Sequence, residues 1–375
     1  MKIAAVICEY NPFHNGHKYQ LDLARRDFDA VLCVMSGSFV ERGEVAVFDK
    51  WKRAYAAIIN GADLVFELGT RYSLSSANGF ASGAVKTIIR TGVADAIIFG
   101  SEVNDIKKLS EAADTMLFES PEISQKIKSA LSDGLSYPMA QKEAFDGIID
   151  EDLLTKPNNL LALEYIMALK RNNSSIVPIT HPRTADFFSD IEKDGFASAS
   201  YIRTKMRKGE DFSHLTPYDF SNCAVYDTNK LTDIFKFMMI TKGEAFFADI
   251  PDAENGIYNR FLKNLDKSSF DEIIDACITK RYTRARLKRT VLRALLGIHG
   301  GYRDPQYLRV LAANEKGREI LSLMKKRASL PIVTKVADFP KDVMAEDIRA
   351  TDIAALCANV PQKTGRDFLT SPVMI

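Results

Sequence analysis

A chain of 375 residues is long for one hydrophobic core, so two domains are expected. With 46% hydrophobic and 26% charged residues, the composition excludes a disordered or fibrous chain and fits a globular one. No apolar stretch reaches membrane-spanning length, and the short run at Ile3 lacks a signal-peptide cleavage pattern, so no membrane partner and a cytoplasmic location are expected.

Five scattered cysteines (Cys8, Cys33, Cys223, Cys277, Cys357) form no C-x-x-C, which suits reducing conditions. Cys8 and Cys33 lie in apolar runs and read as small core residues. The net charge of +1 hides an asymmetry. Residues 1–200 carry 21 Lys and Arg against 27 Asp and Glu (21 − 27 = −6), and residues 201–375 carry 29 against 22 (29 − 22 = +7). Any polyanion contact is therefore expected in the second half.

In chain order, Ile3 to Ile7 reads as a buried strand that Asn11-Pro12 breaks. His14 and His17, three apart, follow at the mouth of a helix and can turn their rings to one side. Gly16 lets a bulky ligand approach the backbone, and a helix start favours phosphate. The same pair also suits a helix cap or a structural metal. No other Cys or His stands at ligand spacing, so no metal site is assigned.

Further strands are expected at Ala30–Val34, Ala62–Leu68, Ala96–Phe99 and Ser175–Ile179, with helices at Asp49–Asn60 and Ser76–Arg90 ending near Gly61 and Gly92. This alternation predicts a parallel sheet covered on both faces, with ligands beyond the strands' carboxyl ends. The segments in those places are Ser36 to Glu44, then Phe99-Gly100-Ser101-Glu102, then Thr180 to Arg183. Each also reads as an ordinary loop or turn, with Ser101 as an N-cap. Lys156-Pro157-Asn158-Asn159 opens another helix, and the serine-rich Phe196 to Arg203 suits a capped helix start.

The string Ile7-Cys8-Glu9-Tyr10-Asn11-Pro12-Phe13-His14-Asn15-Gly16-His17-Lys18-Tyr19-Gln20 contains the H-x-G-H that marks class I nucleotidyltransferases. Its longer form, N-P-F-H-N-G-H-K-Y, resembles the bacterial tRNA(Met) cytidine acetate ligase family. The resemblance runs over nearly the whole chain and is most specific at residues 7–20, 49–51, 99–102 and 280–289. It implies that residues 7–20 bind ATP, with Gly100, Ser101, Asn158, Asn159, Arg183 and Ser198, and that His14, His17 and Arg203 are catalytic. It also implies Mg²⁺ on the ATP phosphates. The segment Ser198 to Arg203 resembles the superfamily's second signature, I-S-[ST]-x-x-I-R. Two loops depart from the family pattern. Glu41 replaces a usual Gln and Val45 a usual Pro in the expected acetate-pocket wall, while Pro182 takes a lysine position.

The second half loses the alternation. Helices are expected at Leu231–Ile240, Phe270–Ile278, Thr290–Ile298 and Asn314–Lys326, with short strands at Tyr307–Leu311 and Pro331–Val336. Residues 280–289, extended by Arg293, hold seven basic residues and no acid. In helical form most of this charge is expected to meet water or a polyanion. The family carries a similar segment, and Lys280, Arg281, Arg284 and Lys288 are assigned to tRNA, with Arg281, Arg284 and Lys288 expected on one helix face.

The resulting expectation is an α/β protein. A Rossmann-like nucleotidyltransferase domain (residues 1–205) precedes a mostly helical basic domain (206–375). By the resemblance, the reaction activates acetate with ATP to acetyl-adenylate and acetylates N4 of the wobble cytidine of elongator tRNA(Met). Two alternatives stay open at this stage, a small-molecule adenylyl- or cytidylyltransferase and a non-catalytic RNA-binding protein.

Overall fold

The computed structural model describes residues 1–183, 192–254 and 256–375. Its strands are β1 (Ile3–Cys8), β2 (Ala30–Ser36), β3 (Phe39–Val40), β4 (Glu44–Val45), β5 (Leu64–Leu68), β6 (Ala96–Ser101), β7 (Val177–Pro182), β8 (Leu308–Ala313), β9 (Ile332–Val333) and β10 (Val373–Met374). The main sheet runs β10-β8-β5-β2-β1-β6-β7, with β9 on β8, and β3 and β4 form a separate hairpin. All neighbours in the main sheet are parallel except β5 and β8.

The apolar run of β1 is buried on both faces, as expected of a central parallel strand. Ile3 and Ala5 face one core, and Ala4, Val6 and Cys8 the other. The first core takes the helices Ala77–Thr91, Pro157–Arg171 and Glu315–Arg327, and the second takes Asn15–Asp27 and Lys50–Ile59. Gly92 ends the helix Ala77–Thr91 in the left-handed region, at φ 67°, where glycine is the least strained residue. The chain fills β2 and β5 on one side of β1, then crosses to β6 on the other. That reversal opens a crevice beyond the carboxyl ends of β1 and β6, where open α/β sheets hold ligands.

The second half does two things. Between residues 235 and 294 it forms its own core from Phe235, Phe261, Phe270, Ile273, Leu287 and Val291. It then returns β8 to the first sheet, so the sheet draws on both sides of residue 205. The physical reason lies in β8 itself. All six of its residues are buried, and its backbone groups need a sheet neighbour. Buried charges lock this return. Lys50 reaches Glu67 at 2.8 Å and Asp367 at 2.9 Å, and Arg309 reaches the same two acids. No helix among the described residues is long and apolar enough to cross a membrane.

Candidate active site

The first histidine is a helix cap, and that is how it is aimed. Beyond β1 the chain turns with Tyr10 and Phe13 fully inside, while the Asn11 side chain accepts the Val47 N–H at 2.8 Å. His14, extended in backbone, precedes the helix Asn15–Asp27, and its Nδ1 accepts the Gly16 N–H at 3.1 Å. His17 Nδ1 accepts the His14 N–H at 3.2 Å. The two rings stack with centroids 3.6 Å apart.

Burial, helped by Arg183 and Arg203, pushes the His14 ring down to about 3. Burial, helped by His14 and Arg183, holds His17 well below its ordinary value. Both rings are therefore neutral near pH 7. Because each Nδ1 accepts, the single ring proton sits on Nε2. The pair presents two adjacent Nε2–H donors. Positive charge at the site thus comes from Arg183 and Arg203 rather than from the two neutral rings.

The second signature is brought against the first. Ser198 caps the helix Ala199–Lys208, accepting the Tyr201 N–H at 3.1 Å. One turn on, Arg203 donates to the Asn11 carbonyl at 2.9 Å and to Ser200 Oγ at 3.1 Å. Asn15 donates to the carbonyls of Gly195 (2.8 Å) and His214 (2.9 Å), tying the start of the first helix to this loop. Two helix N-termini thus meet beside two neutral histidines and an arginine. That set suits a polyphosphate.

The F-G-S-E turn and the P-N-N helix start grip each other. The Glu102 carboxylate accepts the Asn159 N–H at 2.9 Å and the Asn158 side-chain amide, and Asn159 Oδ1 accepts the Glu102 N–H at 2.9 Å. Asn158 Oδ1 in turn accepts from Arg183 at 3.0 Å. Asn159 and Ser101 are fully buried, and the Ser101 hydroxyl bonds Thr180 at 2.6 Å and the Asn104 N–H at 2.9 Å. Ser101 and Asn159 are thus hydrogen-bonded within this wall. Ser101 is also not a helix cap, because Asp105 caps the helix that follows. Gly100 faces β7, where an added Cβ would come 3.1 Å from His181 and 3.2 Å from Arg183.

The family model described as HIGH Nucleotidyl Transferase matches residues 1–367. The tRNA(Met) cytidine acetate ligase of Clostridium perfringens is 35% identical over 402 residues, covering 100% of both chains. That of Listeria monocytogenes serotype 4b is 37% identical over 392 residues, again covering 100% of both. The chain belongs to the tRNA(Met) cytidine acetate ligase family. Its fold agrees with the Thermotoga maritima TmcAL crystal structure bound with alpha-thio ATP. The TM-score is 0.89 and the identity 33%, with both chains covered in full. The apo form of that protein gives a TM-score of 0.91 at 32% identity, also over the full length of both chains.

Within this ligase fold, three charged residues shape the loops around the site: Arg53, which the sequence did not single out, Glu9 from the expected ATP-binding string, and Glu44 from the loop after β2. Arg53 is fully buried and donates to the carbonyls of Phe48, Glu9, Ser36 and Gly37, joining the ends of β1 and β2. Burial pushes its guanidinium down to about 10. An arginine on the apolar face of a helix was the available signal. Glu9 accepts the Glu41 N–H at 2.8 Å and Ser36 Oγ at 3.1 Å, and burial lifts its carboxyl to about 7. Glu44 takes Lys288 at 2.9 Å and lies 3.9 Å from Arg203. Burial acts to raise the Glu44 carboxyl, but Lys288 and Arg203 outweigh it and hold the group below its ordinary value.

The basic segment departs from expectation. The helix begins at Arg284, capped by Thr283, so Arg281 precedes it and shares no helix face with Lys288. Lys288 is 2% exposed and bound to Glu44 and Asp271 at 2.9 and 2.7 Å. Arg289 and Arg293 are buried as well. The stretch has no acid of its own, but acids come from elsewhere in the chain. Glu254 pairs with Arg281, Asp271 with Arg284, and Glu41 with Arg289. Arg281 and Arg284 remain about half-exposed.

Proposed function

We infer that the chain is an ATP-dependent tRNA(Met) cytidine acetate ligase. The reading rests on the paired Nε2–H donors of His14 and His17 facing the Arg203 helix start, in a chain that aligns end to end with ligases of that name. A carboxylate oxygen of acetate attacks the α-phosphorus of ATP. The bond to the bridging oxygen breaks, giving acetyl-adenylate and pyrophosphate. The enzyme's part is to orient the reactants and to stabilise charge on the phosphate oxygens. His14 and His17 donate to those oxygens, and Arg183 and Arg203 neutralise them.

In the second step N4 of the wobble cytidine attacks the acetyl carbonyl, a proton leaves the amine, and AMP departs. Presenting that base requires the anticodon loop to splay it out. The half-exposed Arg281 and Arg284 are the proposed tRNA contacts, and the setting proposed is the cytoplasm. The loop Ser36 to Glu44, anchored on Glu9, is the proposed acetate wall. Among the described residues, no three His, Cys, Asp or Glu side chains cluster as a metal cage. Mg²⁺ is accordingly read as part of the nucleotide substrate, carried by its phosphates.

The test is exchange of labelled pyrophosphate into ATP without RNA. Acetate should drive it. Exchange that instead required a phosphorylated small acceptor would replace this reading with that of a small-molecule nucleotidyltransferase.

A further inference from the structure

A cavity of about 1390 Å³ lies between the helix Ala77–Thr91 and the basic helix Arg284–Leu296. Its lining includes Glu41 and Arg42, Ser75 to Gly79, and Arg289 and Arg293. Glu41 also donates its N–H to Glu9, so the cavity begins one hydrogen bond from the nucleotide loop.

Arg293 is 5% exposed. One of its nitrogens donates to the Leu74 carbonyl at 3.2 Å and to Ser75 Oγ at 3.3 Å, while its Nε has no hydrogen-bond partner. Arg71, Arg281, Arg286 and Arg289, on the same cavity, each pair with a carboxylate. Among the described residues no carboxylate lies within ion-pair distance of Arg293. A buried cation without a counter-ion is costly, and such a group is a standing attraction for an anion. Burial, reinforced by Arg71, pushes its guanidinium down to about 10, and the more distant carboxylates of Asp252 and Glu346 offset this only in part.

Donors with no intrahelical acceptor line the same cavity. Ser76 precedes the helix Ala77–Thr91 but makes no side-chain cap bond. The Phe80 N–H bonds the Ser76 carbonyl at 2.8 Å, and helix geometry leaves the N–H groups of Ala77, Asn78 and Gly79 without an intrahelical acceptor. The helix dipole adds positive potential at the same end.

We propose that Arg293, Ser76 and the N–H groups of Ala77 to Gly79 form a phosphate site that holds a backbone phosphodiester of the RNA substrate. On this proposal the RNA strand lies in the cavity whose lining holds Glu41, Arg281 and Thr283 as well as Arg293 and Ser76. The proposal rests on the tRNA reading above. The other source of the same chemistry is the pyrophosphate product.

Two variants test it, Arg293→Gln and Ser76→Asp. Asp is a favoured N-cap and complements the dipole, so Ser76→Asp keeps the helix while repelling a phosphate. If Arg293→Gln fails to fold, Ser76→Asp decides alone. In both variants acetate-driven pyrophosphate exchange should stay within about twofold of the parent, as should inhibition by pyrophosphate. Affinity for tRNA should fall about tenfold, as expected for one lost charged hydrogen bond. The slope of log affinity against log salt should flatten by about one for the lost phosphate contact. Unchanged tRNA affinity and slope would overturn the site. Weakened pyrophosphate inhibition with unchanged tRNA binding would overturn the RNA assignment in favour of the product. A parent that binds no tRNA would instead bring down the tRNA reading and the site with it.

Discussion

Glu44 accepts the Lys288 ammonium at 2.9 Å, joining the loop beside Arg203 to the helix that carries the basic segment. Its other oxygen lies 3.9 Å from Arg203. Close fit reinforces the join, because a Cβ on Gly43 would stand 2.5 Å from the Lys288 Cβ. Gly43 also has φ 73°, so substitution there is resisted twice over. One carboxylate therefore sits between the group proposed for phosphates and the region proposed for RNA.

Glu44→Gln keeps the shape and removes the charge. It should destabilise the fold by about 2 kcal/mol at pH 7, read from urea midpoints at unchanged slope. Lys288 keeps Asp271, which limits the loss. The sign with pH follows from the depressed carboxyl. Its stabilisation is present above the ordinary value of 4.5 and is lost as pH falls through the lower folded value. The gap between parent and variant should therefore close in acid. A gap that stayed constant down to about pH 3 would rule out the ion pair as its cause.

His14→Asn separates capping from chemistry. Asn is among the best N-caps, so thermal stability should change by less than about 1 kcal/mol. Turnover should nonetheless fall about a hundredfold to a thousandfold, the usual cost of losing one preorganised donor. The same loss is expected of His17→Ala, with ATP binding weakened less than turnover. Equal turnover in parent and His14→Asn at saturating ATP would reduce His14 to a cap.

The pH dependence of stability carries opposing contributions at this site. His14 is held at about 3 and His17 well below its ordinary 6.5, so the unfolded chain binds their protons first. Their stabilisation is full above 6.5 and is lost as pH falls below it. Glu9 is raised from 4.5 to about 7, so its stabilisation is full below 4.5 and is lost as pH rises toward 7. Glu9→Gln removes the second contribution alone. Stability should then rise more steeply between about pH 4.5 and 6.5 than in the parent, by up to about 1.4 kcal/mol per pH unit. Parallel curves would show that Glu9 titrates normally.

Arg281 and Arg284 should behave differently from Lys288. Changing the two arginines to Gln should leave exchange intact, weaken tRNA binding and flatten its salt slope by about two. Lys288→Gln should leave that slope alone and cost stability, because its charge is held by two acids inside the fold. A slope change in Lys288→Gln equal to that of the arginines would mean that the helix opens to receive RNA.

Much of the first half was legible because its signals are local. The apolar runs of β1 and β2, the glycine after Thr91 and the histidine pair each depend on near neighbours in the chain. What escaped depends on distant partners. Residues 280–289 contain no acid, so nothing local shows that Glu44, Glu254 and Asp271 neutralise them. The short strand Leu308–Ala313 was visible as Tyr307–Leu311, but its place antiparallel to β5 was not, since register is settled by packing between residues far apart in the chain. Ser101 and Asn159 are expected at the nucleotide from the family resemblance, which shows residue types but not the partners they bond. Here they are consumed by Thr180, Asn104, Glu102 and Asp152.

The central claim is that one site adenylates acetate and then acetylates RNA. It is tested most directly by supplying ATP, labelled acetate and elongator tRNA(Met), digesting the RNA and identifying the labelled nucleoside. The account predicts label in N4-acetylcytidine at the wobble position, with AMP and pyrophosphate formed in equal amounts to it. Label confined to a small molecule, or release of ADP and phosphate in place of AMP and pyrophosphate, would contradict it.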